Sequence, residues 1–426
     1  MNTLTVSIER NGVMTPAGII AGNDIFDSQF FYSERYLSDS SASALSISLS
    51  LKEQPFSPFQ TKCFFEGLLP EGFTRRSVAQ WMHVDEDDYL SILHGLGREC
   101  LGAISITSEE EDTEASYERI TNAQIRELAA EGAAKSAELV MRSHLSLTGA
   151  TGKVGLYYDS GEDAWYAPKG TAPSTHIVKQ SHVRLDSIVT NEQLALRTAS
   201  RCGISIPNSF IINTGSGDEN EVLFATERYD RIIPENPRRI NGLPCPLRLH
   251  QEDFAQAMGI QSAAKYERVS DAHMKGMFDI LRKYSSDPIT DQIRLWDIIV
   301  FDYLIGNTDA HIKNFSLLYG PDLKGIRLAP AYDIISTTVY EQSSREMAFR
   351  IGQAHGIDDI TAESFRTAAR EVGIGERMAM QRFESMCSLF RNALSLSTEE
   401  LMSEGYYKAA ELEERILKSG GISRIR

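Results

Sequence analysis

Cysteine is scarce in this chain, with five residues among 426. They lie far apart along the sequence, and no two of them form a Cys-X-X-Cys pair. Structural zinc sites and the disulfide frameworks of small secreted domains both need closely spaced cysteines. We therefore expect neither a zinc site nor a disulfide framework, and a reducing compartment fits this composition best.

A long uninterrupted apolar run is also missing. The longest apolar helix candidate, around Leu295 to Ile305, is interrupted by Asp297 and Asp302, whereas a membrane-spanning helix needs about 20 mostly apolar residues. The opening residues, MNTLTVSIERNG, have neither the basic start nor the apolar centre of a signal peptide. We expect a cytoplasmic protein that makes no membrane contact.

Positive charge is in deficit as well. Lysine and arginine number 43 against 59 aspartate and glutamate residues, which gives a formal net charge of −16. A phosphate backbone repels such a surface, so the chain is a poor candidate for binding DNA directly. A basic protein partner is compatible with the charge, and so is a simple role in solubility.

Strand patterns dominate the first half of the chain and helix patterns the second. In Ala44–Leu51 apolar residues alternate with serine, which predicts a half-buried strand. The acidic segment Ser108–Ser116 is the best candidate for a domain boundary. Predicted helices of the second half are Gln251–Met258, Asp271–Tyr284, Asp291–Leu304, Ala362–Val372 and Arg377–Leu394. This order indicates an α+β protein of two lobes with a cleft between them, a common place for a ligand.

The segment IGNTDAHIKNFS contains an aspartate and, five residues later, an asparagine. A kinase catalytic loop uses this spacing, with the aspartate as base and the asparagine on magnesium. Asp309 and Asn314 have the spacing, although ordinary turn chemistry at a helix end explains it equally well. Asp333 follows an apolar stretch within the segment Ile326–Ser336. It lies where a kinase would have its second magnesium ligand.

A lysine and a glycine-rich segment supply what a phosphate site needs. Lys179 ends the predicted strand Thr175–Lys179, and SLTGATGKVGL lies upstream of it. Glycines allow backbone N–H groups to approach phosphates, and a strand lysine can pair with their charge. Glu192 lies near the start of the predicted helix Asn191–Arg201. It could orient that lysine through an ion pair, or it could simply be a first-turn carboxylate that the helix dipole stabilises.

Two other interpretations of these segments are weaker. A P-loop needs glycine where Leu147 stands, and serine or threonine where Val154 follows Lys153. His311 has no second histidine or cysteine at ligand spacing, so structural support of its loop is a better explanation than metal binding.

Several segments of the chain, taken in order, resemble the motifs of the HipA family of bacterial serine/threonine kinases. These kinases are the toxin halves of toxin–antitoxin pairs. The N-terminal segments are FFEGLLPEGFTRR and LGRECLGAISI, and the later ones are SLTGATGK, THIVK, ATERYDR, RLHQEDFAQAMG, LIGNTDAHIKN and LAPAYD. The resemblance covers most of the chain. It implies a protein-kinase-like two-lobed α+β fold, with a β-rich N-lobe, an added N-terminal α+β module and an all-α C-lobe. The corresponding ranges would be 1–108 for the module, 109–232 for the N-lobe and 233–426 for the C-lobe.

The resemblance also implies roles for individual residues in binding ATP and Mg²⁺. Asp309 would be the catalytic base, Asn314 and Asp333 would hold magnesium, and Lys179, oriented by Glu192, would contact the α- and β-phosphates. Glu227 and Tyr229 match the hinge, where backbone groups bind adenine. The other ATP-binding positions would be Gly149, Ala150, Thr151, Gly152, Lys153 and His311.

Regulation and partners are implied in the same way. Ser146 matches a serine whose autophosphorylation ejects the glycine-rich loop and switches the kinase off, although it could also be an ordinary serine at a strand end. The partner would be a HipB-like helix-turn-helix antitoxin that brings the protein to operator DNA, so that DNA contact is indirect. The substrate would be a protein of translation, such as an aminoacyl-tRNA synthetase.

The sequence departs from the family pattern at two places. Ile312 stands where the family loop usually has glycine, and Gly149–Lys153 reads GATGK where GAQxK is frequent. These departures bear on the loop conformation and the substrate contacts and not on phosphoryl transfer. Two alternative functions stay open on other grounds: a kinase-like co-repressor without catalysis, and a small-molecule kinase of the aminoglycoside type. Incorporation of phosphate into the protein itself would favour the HipA-like kinase.

Overall fold

The computed structural model describes residues 3–108, 114–131, 152–181, 185–215, 217 and 221–425. An antiparallel four-stranded sheet, in the order β3-β2-β1-β4, is the centre of the N-terminal module. Leu4, Val6 and Ile8 alternate along its first strand and are buried, as expected for a sheet with one covered face. Its strands are β1 (Leu4–Arg10), β2 (Val13–Ala21), β3 (Gln29–Tyr32) and β4 (Ile104–Thr107). Its helices are α1 (Glu34–Leu37), α2 (Pro58–Phe65), α3 (Gly72–Met82) and α4 (Tyr89–Leu96).

The predicted strand at Ala44–Leu51 is wrong, because this segment is irregular. Leu45 and Leu49 are buried as the alternation suggested, but their backbone groups bond to a side chain instead of a neighbouring strand. The Tyr32 hydroxyl donates to the Leu49 carbonyl at 2.5 Å and accepts from the Leu45 N–H at 2.8 Å. Serine side chains can also hydrogen-bond to nearby backbone groups, and such bonds compete with the formation of a sheet.

A six-stranded antiparallel sheet follows, in the order β5-β7-β6-β8-β10-β9. Its two faces belong to different apolar cores: Val178 and Leu223 pack with the N-terminal module, and Phe224 packs with the C-terminal half. The strands are β5 (Ser116–Ile120), β6 (Lys153–Asp159), β7 (Ala164–Lys169), β8 (His176–Gln180), β9 (Ser209–Ile212) and β10 (Leu223–Glu227). The accompanying helices are α5 (Asn122–Glu131) and α6 (Ile188–Arg201).

The C-terminal half is mainly helical. Its helices are α7 (Phe254–Met258), α8 (His273–Tyr284), α9 (Pro288–Ile305), α10 (Ala362–Val372), α11 (Glu376–Ser403) and α12 (Lys408–Ser419). Trp296, Phe301 and Tyr303 of α9 are fully buried at the centre of this half. None of the helices among the described residues combines the length and apolar character needed to cross a membrane.

The C-terminal half also contains short strands, so the expected all-α C-lobe is too simple. The predicted helix Gln251–Met258 begins instead with a strand, and Asp253 caps the helix by accepting from the Gln256 N–H at 2.8 Å. The strands are β11 (Arg231–Ile232), β12 (Arg239–Ile240), β13 (Leu243–Pro244), β14 (Leu247–Arg248), β15 (Gln251–Asp253), β16 (Ser316–Leu318), β17 (Arg327–Leu328), β18 (Glu346–Ile351) and β19 (Ala354–Gly356). The β15-β16-β17 sheet brings Asp253 beside the segment that precedes Ser316.

A buried charge cluster joins the N-terminal module to the end of the six-stranded sheet. Arg228 Nη1 lies 3.0 Å from Glu99 Oε1, and Arg228 Nη2 lies 2.8 Å from Asp230 Oδ2. Arg231 Nη2 also reaches Glu99, at 2.5 Å, and the Gly102 N–H donates to Asp230 at 2.7 Å. All four charged side chains are buried, and buried charges are tolerated only when they are paired and hydrogen-bonded. The cluster therefore fixes the module against the segment that follows β10.

Candidate active site

Lys179 of β8 is the centre of a buried ion-pair cluster. Its Nζ atom lies 2.6 Å from Glu192 Oε1 and 2.5 Å from Asp333 Oδ1. Helix α6 begins at Ile188, earlier than predicted, so Glu192 lies beyond the first turn and pairs with the lysine. Although burial alone would lower it, the two carboxylates raise the pKa of Lys179, so the ammonium stays charged at neutral pH.

Asp333 lies in an irregular segment, since the predicted strand Ile326–Ser336 is reduced to Arg327–Leu328. Its backbone has φ of 57°, a left-handed conformation that is uncommon for residues other than glycine and is frequent at functional sites. Although burial opposes it, the ammonium groups of Lys179 and Lys153 hold the pKa of Asp333 well below its usual range. The carboxylate is therefore ionised at physiological pH.

The loop that carries Asp309 and Asn314 begins where helix α9 ends. Gly306 ends the helix with φ of 81°, and a Cβ atom there would lie 2.1 Å from Thr338 Oγ1, so glycine is required on both counts. The Thr308 N–H donates to Thr337 Oγ1 at 2.8 Å. Asn314 Nδ2 donates to the Asp309 carbonyl at 3.1 Å. These bonds hold the loop in one conformation.

The Asp309 carboxylate is half-buried and accepts a hydrogen bond of 2.5 Å from the Tyr266 hydroxyl to Oδ1. Burial raises the pKa of Asp309, and the hydrogen bond from Tyr266 opposes this rise. His311 is buried beside Tyr266, with the two ring centroids 5.3 Å apart. Burial lowers the pKa of His311 to about 3, so this imidazole is neutral and supports the loop by packing.

Lys153 is the first residue of β6 and is paired in register with Lys179 across the sheet. It is buried, and burial lowers its pKa. The side chain lines the same pocket as Lys179, Glu192 and Asp333. Gly152 precedes the strand and is buried. The remaining predicted positions of the glycine-rich segment, Gly149, Ala150 and Thr151, lie outside the described residues, as does Ser146.

The pocket lies between the six-stranded sheet and the C-terminal half. Ile177, Leu196 and Phe224 give it apolar walls, and the predicted hinge positions Glu227 and Tyr229 line it as well. The Tyr229 ring lies next to that of Tyr332, with centroids 5.6 Å apart. The Glu227 carboxylate is exposed and accepts from Asn208 Nδ2 at 2.9 Å. An apolar slot that opens toward buried cations can take a flat ring system carrying an anionic tail.

Several contacts of the site have no recognisable signal in the sequence, even where their residues lie within the segments that resemble the family. Lys313 Nζ lies 2.7 Å from Asp253 Oδ2 and 3.6 Å from Glu71 Oε1. Lys265 Nζ lies 2.6 Å from the other oxygen of Glu71. Glu71 comes from the N-terminal module, so this module contributes directly to the surroundings of the Asp309 loop. These contacts join distant segments, and no local pattern could have predicted them.

The donor set of the site suits a magnesium ion. Asn314 uses its amide NH₂ on the Asp309 carbonyl, which leaves its amide oxygen for a cation, and Asp333 supplies an ionised carboxylate. Mg²⁺ prefers oxygen ligands and is often held by one or two side chains together with substrate phosphates. Among the described residues, no group of three or more histidine, cysteine, aspartate or glutamate side chains could hold a metal, so other ligands would have to complete the shell.

Comparisons with known proteins identify related families and relatives of this chain. The family model described as the HipA-like C-terminal domain matches residues 145–394, and that of the HipA N-terminal domain matches residues 13–107. Y4mE of Sinorhizobium fredii, named as a kinase, is 33% identical over 404 residues, which cover 91% of this chain and 90% of that protein. The serine/threonine-protein kinase toxin HipA of Shewanella oneidensis is 27% identical over 335 residues, covering 74% of this chain and 72% of HipA.

A solved structure shows the same fold. It is a complex of HipA, HipB and operator DNA from Shewanella oneidensis MR-1, and one of its chains matches with a TM-score of 0.80 at 21% identity. The match covers 99% of this chain and 97% of that one. The fold is therefore the one seen in HipA, and with both family models matched the chain belongs to the HipA-like kinase family.

Proposed function

We propose that this chain is a serine/threonine protein kinase that transfers the γ-phosphoryl group of ATP to a protein. The observation that carries the proposal is the contact of Lys179 with both Glu192 and Asp333 in the pocket beside the Asp309 loop. Phosphoryl transfer needs positioning and charge stabilisation more than covalent help from the enzyme. The residues of this site supply both.

Each residue has a definite part in the proposed reaction. Asp309 accepts the proton of the acceptor hydroxyl while the oxygen of that hydroxyl forms a bond to the γ-phosphorus. The bond between that phosphorus and the β–γ bridging oxygen breaks, and ADP leaves with the electron pair. Lys179 neutralises phosphate charge and is held in place by Glu192. Magnesium, when bound by Asn314 and Asp333, would supply further positive charge beside the phosphates.

The biological role that we infer is the one that the family resemblance suggests. As a HipA-like toxin, the kinase would phosphorylate a protein of translation, such as an aminoacyl-tRNA synthetase, and so inhibit growth. Autophosphorylation of Ser146 would switch it off, because a phosphate of about −1.5 to −2 charge repels the phosphates of ATP. A HipB-like antitoxin would neutralise it and connect it to operator DNA, and the formal charge of −16 suits a basic partner. Support for this partner is the shared fold with a chain solved together with HipB and operator DNA.

The test measures phosphate gain by mass spectrometry. The chain is first treated with a phosphatase and then incubated with Mg-ATP, alone and with casein as an added acceptor. Wild type should gain a phosphate that peptide mapping assigns to Ser146, Asp309→Gln should gain none, and the exposed control Asp359→Gln should behave like wild type. Transfer that persists in Asp309→Gln would contradict the assignment of the base, and a wild type without any transfer would contradict the proposed kinase.

A further inference from the structure

Tyr266 is the closest side-chain partner of the Asp309 carboxylate among the described contacts. It follows the short helical turn Ser262–Ala264, far from the catalytic loop in sequence, and its side chain is 45% exposed. Its hydroxyl donates to Asp309 Oδ1 at 2.5 Å. Because the tyrosine is partly exposed, this hydrogen bond contributes to where the hydroxyl lies.

The phenol ring is held on two sides. The ring of His311 meets it edge to face at a centroid distance of 5.3 Å, and Lys265 Nζ lies 5.5 Å from its centroid on a face. Lys265 is in turn fixed by Glu71 of the N-terminal module at 2.6 Å. The hydroxyl is thus presented to the carboxylate by neighbours from separate parts of the chain.

A carboxylate that serves as a base has two oxygens to use. The acceptor hydroxyl needs one of them within hydrogen-bond reach, and a donor on the other oxygen favours the ionised form. We propose that Tyr266 is a positioning residue for the Asp309 base, whose hydroxyl occupies Oδ1 and so leaves Oδ2 for the acceptor hydroxyl. This inference rests on the proposed kinase function and adds a residue that the catalytic-loop motif does not contain.

The test is Tyr266→Phe, which removes one oxygen from a side chain that is not buried. The initial rate of phosphate transfer from Mg-ATP to the chain itself and to casein is measured at pH 7 over a range of ATP concentrations. We expect the maximal rate to fall about tenfold, which is less than the roughly 100-fold or more that a general base itself contributes, because Tyr266 acts only through Asp309. The KM for ATP should stay unchanged, because the phenol hydroxyl contacts the base and not the nucleotide pocket. Tyr284→Phe, at an exposed tyrosine of α8, is the matched control and should behave like wild type.

The outcomes separate the inference from the proposed function. A Tyr266→Phe variant with the maximal rate of wild type overturns the inference, while Asp309→Gln remains inactive and the kinase function stands. A faster Tyr266→Phe variant overturns it too, because the hydroxyl would then compete with the acceptor. If wild type transfers no phosphate at all, the proposed function and the inference fall together. Thermal unfolding of each variant shows whether a lost rate reflects lost structure.

Discussion

Lys179 and Asp333 are separated by 154 positions in the sequence, yet the Lys179 Nζ atom lies 2.5 Å from Asp333 Oδ1. The lysine comes from the six-stranded sheet and the aspartate from the irregular segment after β17. This ion pair therefore closes the pocket from two sides. Because Glu192 shares the same ammonium group, removal of the lysine would leave two carboxylates without their buried cation.

We expect Lys179→Met to lose phosphate transfer by roughly a hundredfold or more, since the ammonium group held by Glu192 and Asp333 would no longer meet the phosphates. The uncompensated carboxylates should also lower the free energy of unfolding by about 3 kcal/mol. Transfer to casein and urea unfolding measure the two effects separately. Lys283→Met, at an exposed lysine of α8, is the control and should change neither quantity.

The Glu99–Arg228 contact should be one of the most sensitive points for stability. Arg228→Leu leaves Glu99 and Asp230 buried without their main partner, so we expect the free energy of unfolding to fall by about 3–5 kcal/mol. Urea unfolding at pH 7 measures the change. The exposed control Arg377→Leu should lose less than about 1 kcal/mol, and an equally small loss in Arg228→Leu would show that the cluster is dispensable.

Glu252 makes stability depend on pH. It accepts from Ser46 Oγ at 2.5 Å and from the Ile47 N–H at 3.0 Å, and burial raises its pKa to about 7. The folded state therefore holds a proton that the unfolded state has released above its ordinary pKa of 4.5. Stability from this group is fully present below that pH and is lost as the pH rises to about 7.

Glu252→Gln removes this titration while it keeps an acceptor oxygen for the Ile47 N–H. Between pH 5 and 8, wild type should lose about 2.5 kcal/mol from this group, and the variant should lose much less of it. Urea unfolding at several pH values gives the comparison. Parallel pH profiles for wild type and variant would refute the proposed contribution of Glu252.

Glu71 should influence catalysis from the N-terminal module. It meets Lys265 at 2.6 Å and Lys313 at 3.6 Å, and these lysines flank Tyr266 and the catalytic loop. We expect Glu71→Gln to slow phosphate transfer about threefold to tenfold, because about 1 kcal/mol of positioning is lost. The exposed control Glu53→Gln should keep the wild-type rate in the same casein assay.

Local sequence patterns predicted the strands and helices whose formation depends mainly on residues close together in the chain. Alternation around Lys179 predicted its strand, and helical periodicity predicted the helix that carries Glu192. The same alternation at Ala44–Leu51 gave a wrong strand, since Tyr32 from elsewhere in the module takes the backbone hydrogen bonds. A periodic pattern indicates which residues are buried, and tertiary contacts decide what bonds the backbone makes.

The site could be predicted only where its residues lie within motifs. Asp309, Asn314 and Asp333 were candidates because spacing and resemblance marked them. Tyr266 and Glu71 were not candidates. Tyr266 lies outside every motif, and Glu71 lies in a segment that resembles the family but reaches the Asp309 loop only through contacts between distant segments. The left-handed backbone of Asp333, with φ of 57°, is likewise set by its surroundings. A local sequence pattern that resembles a strand could not have predicted it.

The buried cluster of Glu99, Arg228, Asp230 and Arg231 has a consequence for how such chains can recombine during evolution. Glu99 belongs to one matched family region and its partners belong to the other. A chimera that takes its first hundred residues from a relative without an acidic residue at this place would bury two guanidinium groups with one carboxylate. Exchange between lineages is therefore viable only when both sides of this contact travel together, which makes the two regions a single unit of inheritance.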